Sequence, residues 1–215
     1  MSRKYKIEKP KISKNLPLRS FQEIYYQEEP YLNRCIIANC IIDREKMDRL
    51  VLSQVIFQNV IFTGASFRKM ELTDVVFEHC DLSNADLMEA IIHRVEFKDS
   101  KILGVNLAES NLGNVLFKDC NLNLSSFGYS SLKQVMFERC SLRNGDFYEC
   151  KFNKVDFVEC DINDINLSGT PLKGIDISTS RFERMSVEWE DLFGCEVSTE
   201  QAIGFAVLMG LKIKD

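Results

Sequence analysis

The chain has 215 residues, 45% hydrophobic and 27% charged, with 27 Lys plus Arg against 32 Asp plus Glu. That length holds one ordinary domain, and that composition excludes a disordered chain. The longest uncharged apolar stretch, Ala202 to Leu211, is too short to span a bilayer, and no apolar run follows the charged N-terminus, so neither a membrane protein nor a secreted one is expected.

Residues 1–30 read as a basic N-terminal arm. Its first 19 residues carry Arg3, Lys4, Lys6, Lys9, Lys11, Lys14 and Arg19 against Glu8 alone, while the rest of the chain holds 20 Lys plus Arg against 31 Asp plus Glu. The arm reads either as a solvated terminus or as a tether, to an acidic partner or to the acidic body itself.

Residues 31–194 carry an internal repeat. Every fifth residue from Leu32 to Leu192 is large and apolar: 33 positions without a slip, holding 12 of the 15 Phe. Neither a helix of period 3.6 nor a strand of period 2 produces this. From Val55 to Cys160 the residue two places earlier is small or β-branched, and the other three are mostly polar. Each pentad therefore sends one large and one small side chain inward, and the chain must bend at every repeat and wind around a narrow core. One pentad strains the pattern. Glu45 takes an inward small position, so the stretch around Met47 is expected at a frayed end or a bulge.

Stretches such as Cys80-Asp81-Leu82-Ser83-Asn84-Ala85-Asp86-Leu87 resemble the pentapeptide-repeat family, whose motif is A(D/N)LXX. The resemblance implies an all-β fold, a right-handed, four-sided β-helix with four pentads per coil. The repeats then make about eight coils and a rod of roughly 40 Å at ~4.8 Å per coil. Residues 20 apart stack, so Phe57, Phe77, Phe97, Phe117, Phe137 and Phe157 form one aromatic column.

Both ends of such a rod need caps. Pro30 can block the first coil. Residues 195–215 read as a C-terminal helix and dimerisation cap: Ser198 with Gln201 is a capping box, Gly210 a helix stop, and Leu211 to Ile213 a possible short strand. Ala202, Phe205, Ala206 and Met209 form an apolar stripe at helical spacing. It exceeds what an end cap needs to bury, so a homodimer through this end is expected.

No catalytic or metal-binding motif is present. All eight Cys fall at positions divisible by five, the inward small position, and are expected to be buried and reduced, as in the cytoplasm. Their ladder does not converge on a point as metal ligands do, and there is no CxxC. His79 and His93 fall on outward positions in different coils. No phosphate loop, GxSxG or HExxH occurs. The reading is therefore not an enzyme, with no cofactor and no metal.

Sorted by side, the pentads from residue 87 to 187 on one face hold Asp86, Glu89, Glu109, Asp146, Glu149 and Glu188, with no Lys or Arg. The opposite face is also acidic, and the face around residues 92–172 leans basic, with Arg94, Lys133, Lys151, Lys154 and Lys173. Such a surface either keeps a rod soluble or fits a groove built to neutralise DNA phosphates. The stretches Thr170 to Asp176, Phe182 to Arg184, Ser198 to Ile203 and Leu208 to Leu211 are similar to the Qnr-type (MfpA-like) quinolone-resistance proteins. That resemblance implies a DNA mimic that binds DNA gyrase or topoisomerase IV, modulates fluoroquinolone susceptibility, and dimerises through its C-terminal helix. The partners expected are those enzymes, with no nucleic acid and no membrane. The alternative is a repeat scaffold for another protein.

Overall fold

In the computed structural model, which describes residues 5–208 and 210–214, seven strands form one parallel sheet in chain order. They are β1 (Tyr31–Ala38), β2 (Val51–Gln58), β3 (Glu71–Glu78), β4 (Ile91–Lys98), β5 (Asn111–Lys118), β6 (Ser131–Glu138) and β7 (Lys151–Val158). Each pairs with the next at a register of 20 residues, as in Leu52↔Leu72 and Leu72↔Ile92. A coil has four sides. In the coil 71–90, β3 spans the first side (71–75) and most of the second (76–80). The third (81–85) and fourth (86–90) are turns joined to the next coil by single parallel bridges, Asp81↔Lys101 and Asp86↔Asn106. The short pair β8 (Ile165–Asn166) and β9 (Met185–Ser186) continues the winding, and the helix α1 (Thr199–Leu208) follows. The fold is a parallel β-solenoid of about eight coils with a short C-terminal helix.

The bend at each corner has a local cause. The residue before each inward small position takes a left-handed backbone: Asp74 at φ 59°, His79 at 54°, Asn84 at 56°, Glu89 at 61°. That conformation is unfavourable for a side-chain-bearing residue, and bonds to the next coil hold it, such as Asn84 N–H to Leu103 O at 2.8 Å. Gly104 relieves one corner, at φ 65°, and a Cβ there would stand only 2.6 Å from Asn84 Oδ1.

The five-residue row fills the core as its spacing requires. All of it is buried except Met47, Phe152, Phe182, Val187 and Leu192, which pack against the core half-covered. The column from Phe57 to Phe157 stacks with successive ring centroids 5.0, 4.8, 4.8, 5.0 and 5.1 Å apart. The small inward position does more than save space. Ser130 Oγ accepts from Ser110 N–H at 3.0 Å and donates to Leu107 O at 2.8 Å, and Thr170 makes the same two bonds with Cys150 N–H and Phe147 O. A small hydroxyl at a corner thus satisfies backbone groups that the single bridges leave over. Cysteine does half of this: the thiols of Cys80, Cys120, Cys140, Cys150 and Cys160 donate to Phe57, Phe97, Phe117, Phe127 and Phe137 carbonyls.

Two expectations about the first coil change. The pentad after Glu45 is regular, with a Lys46↔Ser66 bridge, because Glu45 lies at the open end and accepts from the Tyr25 hydroxyl at 2.6 Å. The first edge is closed less by Pro30 than by residues 17–19, whose Arg19 N–H and Pro17 O bond Ile36 at 2.9 and 2.8 Å. A 3-10 helix, Phe21–Tyr26, then covers the end with Phe21 and Ile24 buried, started by a Ser20–Glu23 capping box.

The N-terminal arm is not a loose terminus. It lies across the coils, along the ridge between the first and second sides. Lys6 O accepts from Gln134 Nε2 at 3.1 Å, Glu8 N–H donates to Asn114 Oδ1 at 3.0 Å, Lys11 N–H to Asp74 Oδ1 at 2.8 Å, and Ser13 Oγ to Gln54 Oε1 at 2.7 Å. Tethering to the body is the reading that holds.

At the other end, Ser198 and Gln201 make the expected capping box, at 2.9 and 3.2 Å. Gln201 Nε2 also donates to Ile177 O and Ser180 O, tying α1 to the last coils. Gly210, at φ 80°, ends the helix, with Leu211 N–H on Ala206 O at 3.0 Å. Residues 211–214 form no strand.

Candidate functional site

The fourth side carries the acidic residues singled out above, and they fall into two groups. Asp86 and Glu89 are not free. Arg68 and Lys69, one coil earlier on the same side, pair with them: Arg68 with Asp86 at 4.0 Å and Glu89 at 3.6 Å, Lys69 with Glu89 at 3.3 Å. The absence of cations from residue 87 onward stopped one coil short of the cations that matter. Glu109, Asp146, Glu149 and Glu188 have no Lys or Arg pair among the described residues. Glu109, Glu149 and Glu188 are exposed and Asp146 is half-buried, its Oδ1 accepting from Asn166 Nδ2 at 2.8 Å.

Two tyrosines stand among these carboxylates. Tyr129 is exposed, and its ring meets that of Tyr148 edge-on at 5.5 Å. The Glu149 carboxylate beside the Tyr148 hydroxyl pushes its pKa up, keeping that phenol neutral. A shallow hollow of about 550 Å³ at the edge of the side is lined by Glu109, Asn111, Tyr129 and Lys151, so one cation stands at its rim. Exposed carboxylates with rigid aromatic rings suit a protein partner that is basic and partly apolar.

The other sides carry charges of both signs, part of them paired. On the second, Arg139 pairs with Asp119 and Glu138, both at 2.7 Å, Lys98 with Glu96 at 2.5 Å and Lys118 with Glu138 at 3.8 Å. On the third, Asp161 is held by Arg143 and Arg181 at 3.2 and 3.1 Å. On the first, Arg94 grips Asp74 with bonds of 2.6 and 2.8 Å.

The proposed interface residues of α1 divide. Phe205 is buried, its ring 5.3 Å from that of Phe182, so it docks the helix on the solenoid. Ala202 is exposed and Ala206 half-buried. Met209 lies outside the described residues. The outward apolar residues at this end are Ile203 and Val207, with Trp189 60% and Phe193 76% exposed nearby in sequence.

Six Cys are buried, while Cys40 and Cys195, near the two ends, are half-covered where the stack above or below them thins. All eight are free thiols. The Cys120 and Cys160 sulfurs on either side, together with burial, hold the Cys140 thiol in its neutral form. Among the described residues no group of His, Cys, Asp and Glu is arranged to hold a metal ion. His79 is exposed while the Cys80 thiol next to it turns inward to backbone carbonyls. No described helix is long and apolar enough to cross a membrane.

The geometry defines a repeat rod whose distinguishing chemistry lies on its outer sides. A family model described as pentapeptide repeat region matches residues 70–143 and 90–167. With its five-residue sides and 20-residue coils, the chain belongs to the pentapeptide-repeat family. A search of curated proteins finds no significant match. Among solved structures, the chain is similar to a trypsin-treated form of QnrB1, a plasmid-mediated fluoroquinolone resistance protein, at 16% identity and a TM-score of 0.43, covering 84% of this chain and 99% of that one. A second trypsin-treated QnrB1 gives 18% identity and 0.41, over 83% and 100% of the two chains. HetL, a protein involved in heterocyst differentiation regulation from the cyanobacterium Nostoc sp., gives 13% and 0.32, over 85% and 95%.

Proposed function

We propose that this protein binds DNA gyrase or topoisomerase IV in the cytoplasm as a mimic of DNA, through the fourth side of its rod, and so modulates fluoroquinolone susceptibility. It acts by binding and not by catalysis. The observation that carries the reading is the set Glu109, Asp146, Glu149 and Glu188, exposed or half-exposed and unpaired by Lys or Arg, on a side that has no Lys or Arg from residue 87 to residue 190. A groove shaped to take up phosphates attracts such a row by the same field. The sequence similarity of the C-terminal segments to Qnr-type proteins points the same way. Two copies joined at their C-terminal ends, through Ala202, Ile203, Ala206 and Val207, would lengthen the rod.

The test is the triple variant Glu109→Lys, Asp146→Lys and Glu149→Lys. Each exposed charge contributes about 0.5 kcal/mol, and reversal turns attraction into equal repulsion, so three reversals are worth about 3 kcal/mol, or roughly 100-fold in Kd. Gyrase binding should weaken by that factor, fall steeply with salt, and be competed by duplex DNA. A triple variant that binds as tightly as wild type, or binding unaffected by saturating DNA, refutes mimicry by this side. Binding to neither enzyme leaves the scaffold reading, with a different protein partner.

A further inference from the structure

The arm's seat is built as a peptide site. Between Lys6 and Ser13 the arm crosses from the coil of Gln134 to that of Gln54. That is four coils, roughly 19 Å at ~4.8 Å per coil, covered in seven residues at about 2.7 Å each, which is extended chain. The body reads it mainly by its backbone: of the four anchoring bonds, three use Lys6 O, Glu8 N–H and Lys11 N–H. The reading side chains, Gln54, Asp74, Asn114 and Gln134, occupy the same corner position in successive or nearby coils. Asp74 and Asn114 are more than nine-tenths buried beneath the arm, at 6% and 8% exposure.

A second row lies beside the first. Ile36, Ile56, Val76, Leu116 and Met136 share an outward pentad position, which elsewhere is usually polar; all are half-buried or buried, and the buried Glu96, paired with Lys98, interrupts them between Val76 and Leu116. Apolar residues at other outward positions, Ile41 and Ile91, stay exposed. Above this ridge Ile7, Pro10 and Ile12 are half-buried, while Lys6, Lys9, Lys11 and Lys14 point to water. A ladder of amide and carboxylate side chains bonding an extended backbone, over a row of apolar floor residues, recognises peptide with little demand on sequence.

We propose that this ridge is a binding groove for an extended segment of another protein with apolar residues spaced as Ile7, Pro10 and Ile12 are, and that residues 6–13 are its resident competitor. Residues 5–14 contribute no side chain to the buried core, whose first member is Phe21, and the edge residues 17–19 and the 3-10 cap lie outside them. A tethered competitor acts at a millimolar effective concentration. The groove is therefore closed to dilute peptides until the arm is drawn away. The outward lysines provide the handle, since an acidic surface can pull on them without touching the groove. This inference is independent of gyrase binding, which uses the fourth side.

The test compares the full chain with a variant lacking residues 2–14, using a fluorescent synthetic peptide of residues 5–14 as probe and anisotropy as readout. The shortened chain should bind the probe at least tenfold more tightly than the full chain does. Asn114→Ala with Gln134→Ala in the shortened chain should weaken it roughly tenfold or more, for two lost hydrogen bonds. A probe N-methylated at the Glu8 and Lys11 amides should lose binding likewise. Equal binding by full and shortened chains, or full affinity of the methylated probe, overturns the proposal. Should the shortened chain not fold, amide exchange in the intact chain decides. Glu8 and Lys11 amides should be protected, Asn114→Ala should release Glu8, and excess unlabelled probe should speed exchange at both; unprotected amides overturn the proposal. A dimer that vanishes on removing residues 2–14 would put a second copy's arm in the groove and overturn it as well.

Discussion

Phe117→Ala is the sharpest test of how the rod holds together. The ring is fully buried, stacked 4.8 Å from Phe97 and 5.0 Å from Phe137, and edge-on to Phe127 at 6.2 Å. Removing a buried Phe side chain costs about 3–5 kcal/mol, depending on how far the site can collapse. Here it collapses little, because β5 is bonded to β4 and β6 on both sides and cannot move toward one without leaving the other. The upper half of the range is expected, about 4–5 kcal/mol, and at roughly 2–4 °C per kcal/mol for a chain of this size the melting temperature should fall by on the order of 10–15 °C. Because each coil touches only its neighbours, the break in mid-rod should also split the single unfolding transition into two. Phe193→Ala, at 76% exposure, is the control and should move the midpoint by less than about 2 °C. Circular dichroism melts measure both. A fall no larger than the control's would refute the claim that the aromatic column is the central support.

Other outcomes follow from the ends and the arm. A colorimetric thiol reagent at pH 8 should find at most two slow thiols in the native protein, Cys40 and Cys195, and eight after denaturation; burial pushes the Cys195 thiol up to about 11, so even it reacts slowly, and more than two fast thiols would contradict the inward assignment. Burial raises the Asp74 carboxyl, but the Arg94 guanidinium and the Lys11 amide outweigh it and hold the group below the usual carboxylate range. A depressed folded value stabilises above the unfolded pKa of about 3.9, and the contribution is lost as pH falls through the folded value. The Lys11 amide should therefore keep its protection from pH 8 to about 5 and lose it below about 4, with Asp74→Asn abolishing the pH dependence. For the dimer, Ile203→Asp with Val207→Asp should shift the sedimentation mass to monomer at an unchanged melting temperature, whereas Phe205→Asp should lower that temperature by undocking α1 from Phe182; a double variant that stays dimeric would place the interface elsewhere.

What was legible in the chain was what repeats. A side chain recurring every five residues announces a core, and Phe57 to Phe157 could be stacked on paper because the register never slips. The Ser198–Gln201 box was legible because its signal is local. The arm was not, for a physical reason. Its bonds span 106, 63 and 128 residues and use backbone atoms that every residue carries, so its own sequence bears no mark of them. The mark was on the body, in the outward apolar residues Ile56, Val76, Leu116 and Met136, interrupted by Glu96, which a rod with a bare surface has no use for. Phe205 had the right spacing for a stripe, but spacing alone does not say whether a stripe faces its own rod or a second one. Arg68 and Lys69 escaped notice because a side of a solenoid is continuous, and a charge balance struck from residue 87 omits the coil below it.

The strongest argument that the fourth side is functional comes from charge placement along the rod. Residues 20 apart lie one coil apart, and on the other sides several of them pair with opposite sign, Asp74 with Arg94, Asp81 with Lys101, Asp119 with Arg139 and Asp161 with Arg181, while Lys98 and Lys118, and Asp99 and Asp119, are alike. The opposite-sign pairs are the solenoid's equivalent of cross-strand pairs. From Glu109 onward the fourth side has no such pair among the described residues. Glu89 and Glu109 are 20 apart and alike, and only Glu89 has a cation, from Lys69 on its other flank. A like pair directly opposite is destabilising by roughly 0.2–1 kcal/mol. Glu109→Lys, which sets an opposite charge beside Glu89, should therefore stabilise the rod, raising its melting temperature by about 1–4 °C. The same substitution should weaken gyrase binding about fivefold, from one reversed charge worth about 1 kcal/mol. Opposite signs for stability and binding in one variant are what a residue kept for its partner produces. A residue kept only to solvate the surface would give a stabilised rod whose binding is unchanged, and that result would remove the fourth side from the proposed interface.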